Sequence, residues 1–241
     1  MERTAVHRRL TWQLARVVEL IPENARTKSI VLDADDWPGH LPGQHVDVRL
    51  TAEDGYQAQR SYSIASAPQD GKLVLTVERL DDGEVSPYLT DVLEPGDDLE
   101  LRGPIGGYFV WREALGDPLL LVAGGSGVVP LRAMLRHHRA TASEIPVRLL
   151  YSARTRSALF YRDELADYET TITLTREHPP GWNGRTGRVD PDLLAETAWS
   201  PAERPLVYVC GPTGFVEAVA DALVTLGHSP ARIRTERFGP T

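Results

Sequence analysis

The chain has 241 residues, of which 41% are hydrophobic and 25% charged, the balance of a folded protein with a real core rather than a disordered one. Its 26 Lys and Arg against 34 Asp and Glu leave a formal charge of −8, the wrong sign for a general grip on nucleic acid or on anionic membranes. The single cysteine, Cys210, excludes an internal disulfide, a four-cysteine zinc site and a cysteine-ligated iron–sulfur cluster within these residues.

At the N-terminus charge interrupts every apolar run, so neither a signal-peptide core nor the ~20 apolar residues of a membrane span is present, and a cytoplasmic location is expected. Short alternating or clustered apolar runs predict strands at 14–21, 28–33, 45–50, 59–64, 72–80 and 98–102, separated by turns rich in Pro, Gly and Asp. Strands so spaced suggest an antiparallel sandwich or a small closed barrel. One helix, at 85–93, interrupts them.

Beyond about residue 113 the rhythm changes. Continuous apolar runs at 118–123, 146–151, 170–174, 206–210 and 232–234 alternate with helix-length amphipathic segments at 129–140, 158–168, 190–196 and 212–226, the βαβ signature of a parallel sheet. The last helix is expected to carry Pro212 in its first turn and to stop at Gly227. Two domains are expected, over 1–113 and 114–241.

Three segments can carry chemistry. The turn Gly124-Gly125-Ser126-Gly127 follows an apolar strand and opens a helix, where bare N–H groups favour a phosphate, although a plain tight turn reads the same way. Arg60-Ser61-Tyr62-Ser63 ends a strand, and Gly83-Glu84-Val85-Ser86 begins the helix of the first half. A forked guanidinium and a helix start could clamp one pyrophosphate between them, leaving the Tyr62 ring free for a flat heterocycle. Arg60 as an ordinary surface residue and Ser86 as a simple cap are the competing readings. Cys210-Gly211-Pro212 runs from a buried strand into a helix, at the strand end where open α/β sheets bind ligands. A lone cysteine is otherwise most often inert and buried.

Taken in chain order, Arg60-Ser61-Tyr62-Ser63, Gly83 with Ser86, Gly103-Pro104-Ile105-Gly106, Gly124 to Gly127 with Pro130, Cys210-Gly211-Pro212, and Glu236 with Phe238 resemble the ferredoxin-NADP reductase family. The resemblance implies an N-terminal antiparallel Greek-key β-barrel that binds FAD and a C-terminal α/β parallel-sheet domain that binds a pyridine nucleotide. It implies that Arg60 and Ser86 hold the flavin pyrophosphate, with Ser61, Gly83 and Val85 among the cofactor-binding residues, that Tyr62 packs on the flavin ring, and that Ser63 lies near the hydride-accepting atom. Val77 continues its strand toward the adenosine half. Gly125, Ser126, Gly127, Gly211 and Pro212 would receive the nicotinamide nucleotide, with Cys210 and Glu236 beside its ring and Phe238 as the C-terminal aromatic that covers the flavin. Ser63, Cys210 and Glu236 are thus the expected catalytic residues, acting by placement.

Arginines resembling those that neutralise the 2′-phosphate of NADPH stand at Arg154, Arg176 and Arg188, which favours NADP with NAD as the alternative. Only two of the cations are lysine, Lys28 and Lys72, so arginine is the default here and less informative at any one position. The implied reaction is hydride transfer from NAD(P)H to FAD, with electrons passed to a separate one-electron acceptor such as a ferredoxin. A free-flavin or small-acceptor reductase and a non-catalytic electron-transfer subunit are the alternatives. Arg132, Arg136 and Arg139, at i, i+4 and i+7 beside His137 and His138, form a candidate docking face for an acidic carrier, with an ordinary solvated face as the competing and commoner reading.

Overall fold

A computed structural model describes residues 10–239. The first half is an antiparallel sheet of β1 (Gln13–Asn24), β2 (Thr27–Asp33), β3 (His45–Thr51), β4 (Gln57–Ser63), β5 (Leu73–Glu78) and β6 (Asp98–Ile105), ordered β4-β3-β6-β1-β2-β5. Because β6 returns between β3 and β1, the path is a Greek key. A bridge between Ile64 and Leu75 joins the two outer strands and closes the barrel. Ala15, Val17, Val46, Val48, Leu75 and Leu101 fill its inside, as side chains alternating along each strand require.

The helix expected at 85–93 is a turn at Ser86 and Pro87 that runs into one wide π-type turn over Tyr88–Val92, closed by the Leu93 N–H donating to the Tyr88 carbonyl. The Ser86 carbonyl receives the Thr90 hydroxyl at 2.9 Å instead of serving a regular helical ladder.

The second half is a parallel sheet of β7 (Leu119–Gly124), β8 (Val147–Ala153), β9 (Glu169–Leu174), β10 (Arg185–Thr186), β11 (Leu206–Pro212) and β12 (Ile233–Phe238), ordered β10-β9-β8-β7-β11-β12. Helix α1 (Val128–Ala140) covers one face, with Met134 and Leu135 packed on Leu121, Leu149 and Tyr208. On the other face α3 (Pro191–Thr197) and α4 (Thr213–Thr225) pack through Leu194, Val216 and Leu223 on Val122, Leu150 and Val209. With both faces covered, the strands read as unbroken apolar runs.

Three expectations need correction here. The helix at 158–168 reduces to α2 (Arg162–Leu165) after a tight turn over Arg156–Ala158, because Leu159 is extended and Tyr161 takes the left-handed φ of +54°, conformations that a right-handed helix cannot pass through. Pro212 closes β11 and precedes α4 rather than sitting inside it, while Gly227 does follow the helix at φ +95°. The strand at 232–234 is a six-residue strand that carries Glu236 and Phe238.

The two halves are bolted together along α1. Arg136 pairs with Asp70 of the barrel at 2.7 Å and with Glu164 at 2.9 Å, and Arg132 reaches both Glu164 and the Ala65 carbonyl. Arg139 pairs with Asp167 at 3.0 Å. Of the three arginines, Arg132 and Arg136 are thus engaged between the halves, while Arg139 stays exposed in a surface pair, and His137 and His138 contact Gln69, the Ile145 carbonyl and the Trp111 ring. No helix of the described residues is long and apolar enough to cross a membrane.

Candidate functional site

In the barrel, β4 is an outer strand, and its exposed Arg60 faces the loop that follows β5. The Arg60 guanidinium lies 3.2 Å from the Glu84 carboxylate and donates to the Gln59 carbonyl at 2.7 Å, so the structure brings the two clamp segments together. Gly83 is required by crowding: a Cβ there would meet the Ser86 Oγ at 2.9 Å. That hydroxyl is buried and accepts the Leu80 N–H at 3.0 Å, which orders the loop. As the first N–H groups of a helical turn, those of Val85 and Ser86 have no partner within it. Together with the Arg60 guanidinium, whose charge Glu84 now balances, they form an edge rich in donors of the kind that bind anions. The Val77 and Val85 side chains are buried in the barrel core, which leaves only their backbone to face a ligand.

Along β4, Ser61 donates to Asp47 at 2.6 Å, and Asp47 also pairs with Arg102. Burial opposes ionisation of Asp47, but the bonds from Ser61 and Arg102 hold it below the usual carboxylate range. Tyr62 packs half-buried against the barrel core, and burial pushes its phenol up to about 12.

In the parallel sheet, strand order reverses between β7 and β11, the switch point at which such sheets bind ligands. The glycines here answer to different neighbours. A Cβ on Gly124 or on Gly211 would strike the Phe215 ring at 2.7 Å, and one on Gly127 would come within 2.1 Å of the Cys210 carbonyl. Gly125, at φ +57°, faces open space, with Ser126 half-buried beside it at the start of α1.

The halves meet at Ser63. Its hydroxyl donates to Glu236 at 3.5 Å across 173 residues of sequence. Glu236 stands opposite Cys210 in the β11–β12 register, two positions before the pair Pro212 and Phe238. Burial raises Glu236 to about 7, with the Ser63 hydrogen bond opposing, and burial followed by the Glu236 charge raises the Cys210 thiol. The site thus holds a neutral thiol beside a carboxyl that titrates near neutrality. Phe238 is 38% exposed at the end of β12; Pro240 and Thr241 lie outside the described residues.

Arg154 and Arg176 extend from the ends of β8 and β9, joined by the Arg176 N–H on the Arg154 carbonyl at 2.9 Å. Both are exposed, as are Arg156 and Arg188. Among the described residues none of these four is in an ion pair, whereas Arg185 pairs with Glu196.

Sequence reasoning gave no role to Tyr56, Glu84 or Phe215. Tyr56 donates to Glu84 at 2.8 Å, and Phe215 is the reason for two of the glycines. The contacts of Tyr56 with Glu84 and of Phe215 with Gly124 join residues far apart in the chain, and nothing in the local pattern announces them.

Comparison with known proteins agrees with this layout. The model of the oxidoreductase FAD-binding domain matches residues 15–110, and that of the oxidoreductase NAD-binding domain matches residues 121–221. The chain is 34% identical to ferredoxin–NADP reductase B of Sorangium cellulosum, over 93% of this chain and 96% of that one. It is 32% identical to the glycine betaine monooxygenase reductase subunit of Chromohalobacter salexigens, over 94% of this chain but only 64% of that relative, so it spans just under two thirds of that protein. Among solved structures, the flavohem-like FAD/NAD binding domain of nitric oxide dioxygenase from Vibrio cholerae superposes with a TM-score of 0.84 at 28% identity, covering 95% of this chain and 99% of that one. With a barrel and a parallel sheet that each match their own domain model and meet at one shared site, the chain belongs to the ferredoxin-NADP reductase family of flavin- and pyridine-nucleotide-binding oxidoreductases.

Proposed function

We propose that this protein is a reductase that takes a hydride from NADPH, in preference to NADH, onto FAD and delivers electrons to a separate one-electron carrier such as a ferredoxin. The observation that carries the reading is the contact of Ser63 with Glu236, opposite Cys210. It draws the expected flavin-side and nicotinamide-side residues to one point between the two halves.

In this reading Arg60 and the N–H groups that open the Ser86 turn hold the FAD pyrophosphate, a group FMN lacks, and Tyr62 offers its ring to the flavin. Ser61 braces β4 through Asp47. The turn at Gly125 to Gly127 receives the phosphates of the pyridine nucleotide. Bound FAD supplies a ring that accepts two electrons as hydride and can release them singly. Glu236 can hold or release a proton at its carboxyl near neutral pH, Ser63 orients that carboxyl, and Cys210, buried opposite Glu236, stays a neutral thiol. Arg154, Arg176 and Arg188, free of ion pairs among the described residues, favour the 2′-phosphate of NADPH. Each half serves one cofactor, the domain over 1–113 FAD and the domain over 114–241 the pyridine nucleotide, with the reacting rings brought together where the halves meet. An oxygenase component as acceptor is the second reading, suggested by the monooxygenase reductase subunit among the relatives.

The test is anaerobic mixing of the FAD-loaded protein with NADPH and separately with NADH, followed by flavin absorbance. Rapid bleaching, faster with NADPH, is expected. Tightly held FAD that neither nucleotide bleaches would favour the electron-transfer subunit, and weak retention of FAD the free-flavin reductase.

A further inference from the structure

The clamp assigned to the FAD pyrophosphate contains a carboxylate. Glu84 is held by donors from two different places: the Arg60 guanidinium at 3.2 Å, on β4, and the Tyr56 hydroxyl at 2.8 Å, on the turn between β3 and β4. That turn is itself ordered, with the Tyr56 N–H donating to Asp54 at 3.0 Å. The second terminal nitrogen of Arg60 donates to the Gln59 carbonyl. Arg79, in the segment between β5 and Glu84, is bound to Asp81 and to Asp91, so it is not available to replace Arg60.

We propose that Glu84 is an internal competitor for the FAD pyrophosphate, a residue that sets cofactor affinity by occupying Arg60 until the cofactor displaces it. The inference rests on the reading of Arg60 as a pyrophosphate ligand. Its physical basis is that one guanidinium cannot give the same N–H groups to two anions, and that a carboxylate kept beside a pyrophosphate repels it. Glu84 and Arg60 are each about half exposed, with side-chain exposures of 50% and 55%, so water screens both effects and the carboxylate can swing aside without being buried. The arrangement makes FAD binding weaker and more exchangeable than Arg60 alone would allow.

The experiment is titration of the apoprotein with FAD and with riboflavin, for wild type, Glu84→Gln, Glu84→Ala and Arg60→Ala, at low and high salt. Both Glu84 variants are expected to lower the Kd for FAD by roughly 3- to 10-fold at low salt. The gain should shrink at high salt, and riboflavin, which has no phosphate, should bind all the Glu84 variants as it binds wild type. Arg60→Ala should weaken FAD. Unchanged or weaker FAD binding by both Glu84 variants, or an equal gain for riboflavin, overturns the competition. If the Glu84 variants tighten FAD while Arg60→Ala leaves it unchanged, the role of Arg60 is what fails; a wild type that binds no FAD would bring down the functional reading itself.

Discussion

The α-carbon of Gly127 lies so close to the Cys210 carbonyl that a Cβ would sit 2.1 Å from that oxygen. The turn opening α1 is thereby keyed to the end of β11, and the position of one fixes the other.

Gly127→Ala must push the turn and the strand apart, and should cost about 1–3 kcal/mol by overpacking. Gly125→Ala meets no neighbour but forces an alanine into φ +57°, at a cost of about 1–2 kcal/mol. Thermal melts of both variants, with KM for the pyridine nucleotide, separate the cases: Gly127→Ala should disturb Cys210 and raise KM even where the protein remains folded.

Glu236 holds its proton up to about pH 7 in the folded protein, against an ordinary value of 4.5. The folded state therefore binds the proton more tightly than the unfolded one, and stability falls as pH rises from about 4.5 through 7. Glu236→Gln removes a penalty on the order of 3 kcal/mol above that window. Its melting temperature should exceed wild type at pH 8 and approach it near pH 5. Hydride transfer should slow and lose any pH dependence centred near 7; a gain in stability of the same size at both pH values would show that the buried carboxyl is not its source.

Arg154→Ala and Arg176→Ala should each raise KM for NADPH by roughly 10-fold or more, the scale of a lost charge-assisted phosphate contact. KM for NADH should change little. Equal effects on both nucleotides would return these arginines to the surface.

The barrel strands were legible because their apolar residues alternate between core and solvent, and the first four long strands of the parallel sheet because both their faces are covered. The sequence Ile233-Arg234-Thr235-Glu236-Arg237-Phe238 has no such pattern, and its strand depends on pairing with β11. The segment after β8 misled in the opposite way: the amphipathic run over 158–168 suggests one helix, yet Leu159 is extended and Tyr161 takes φ +54°, so the helix starts only at Arg162. At the site, the motifs identified Ser63, Cys210 and Glu236, which the structure brings together. The charge pattern on α1 left docking and an ordinary face both open, because helical periodicity places Arg132, Arg136 and Arg139 on one face without saying what that face meets.

Arg136→Ala should destabilise the protein by about 1–3 kcal/mol, since it leaves the partly buried Asp70 and Glu164 short of their shared partner. Denaturant unfolding measures the loss. Reduction of an artificial acceptor such as ferricyanide should be unchanged, apart from any loss of folded protein.

The Phe215 ring spans the glycine ends of two neighbouring strands, Gly124 on β7 and Gly211 on β11. Helix α4 is thus pegged to the rim of the parallel sheet by one aromatic wedge rather than by a hydrogen-bonded cap. Any sliding of that helix would first have to lift the wedge from its two-glycine notch. The ring thus caps the place where the ends of β7 and β11 lie side by side, and methionine or leucine in place of Phe215 would be expected to leave a gap there rather than a clash.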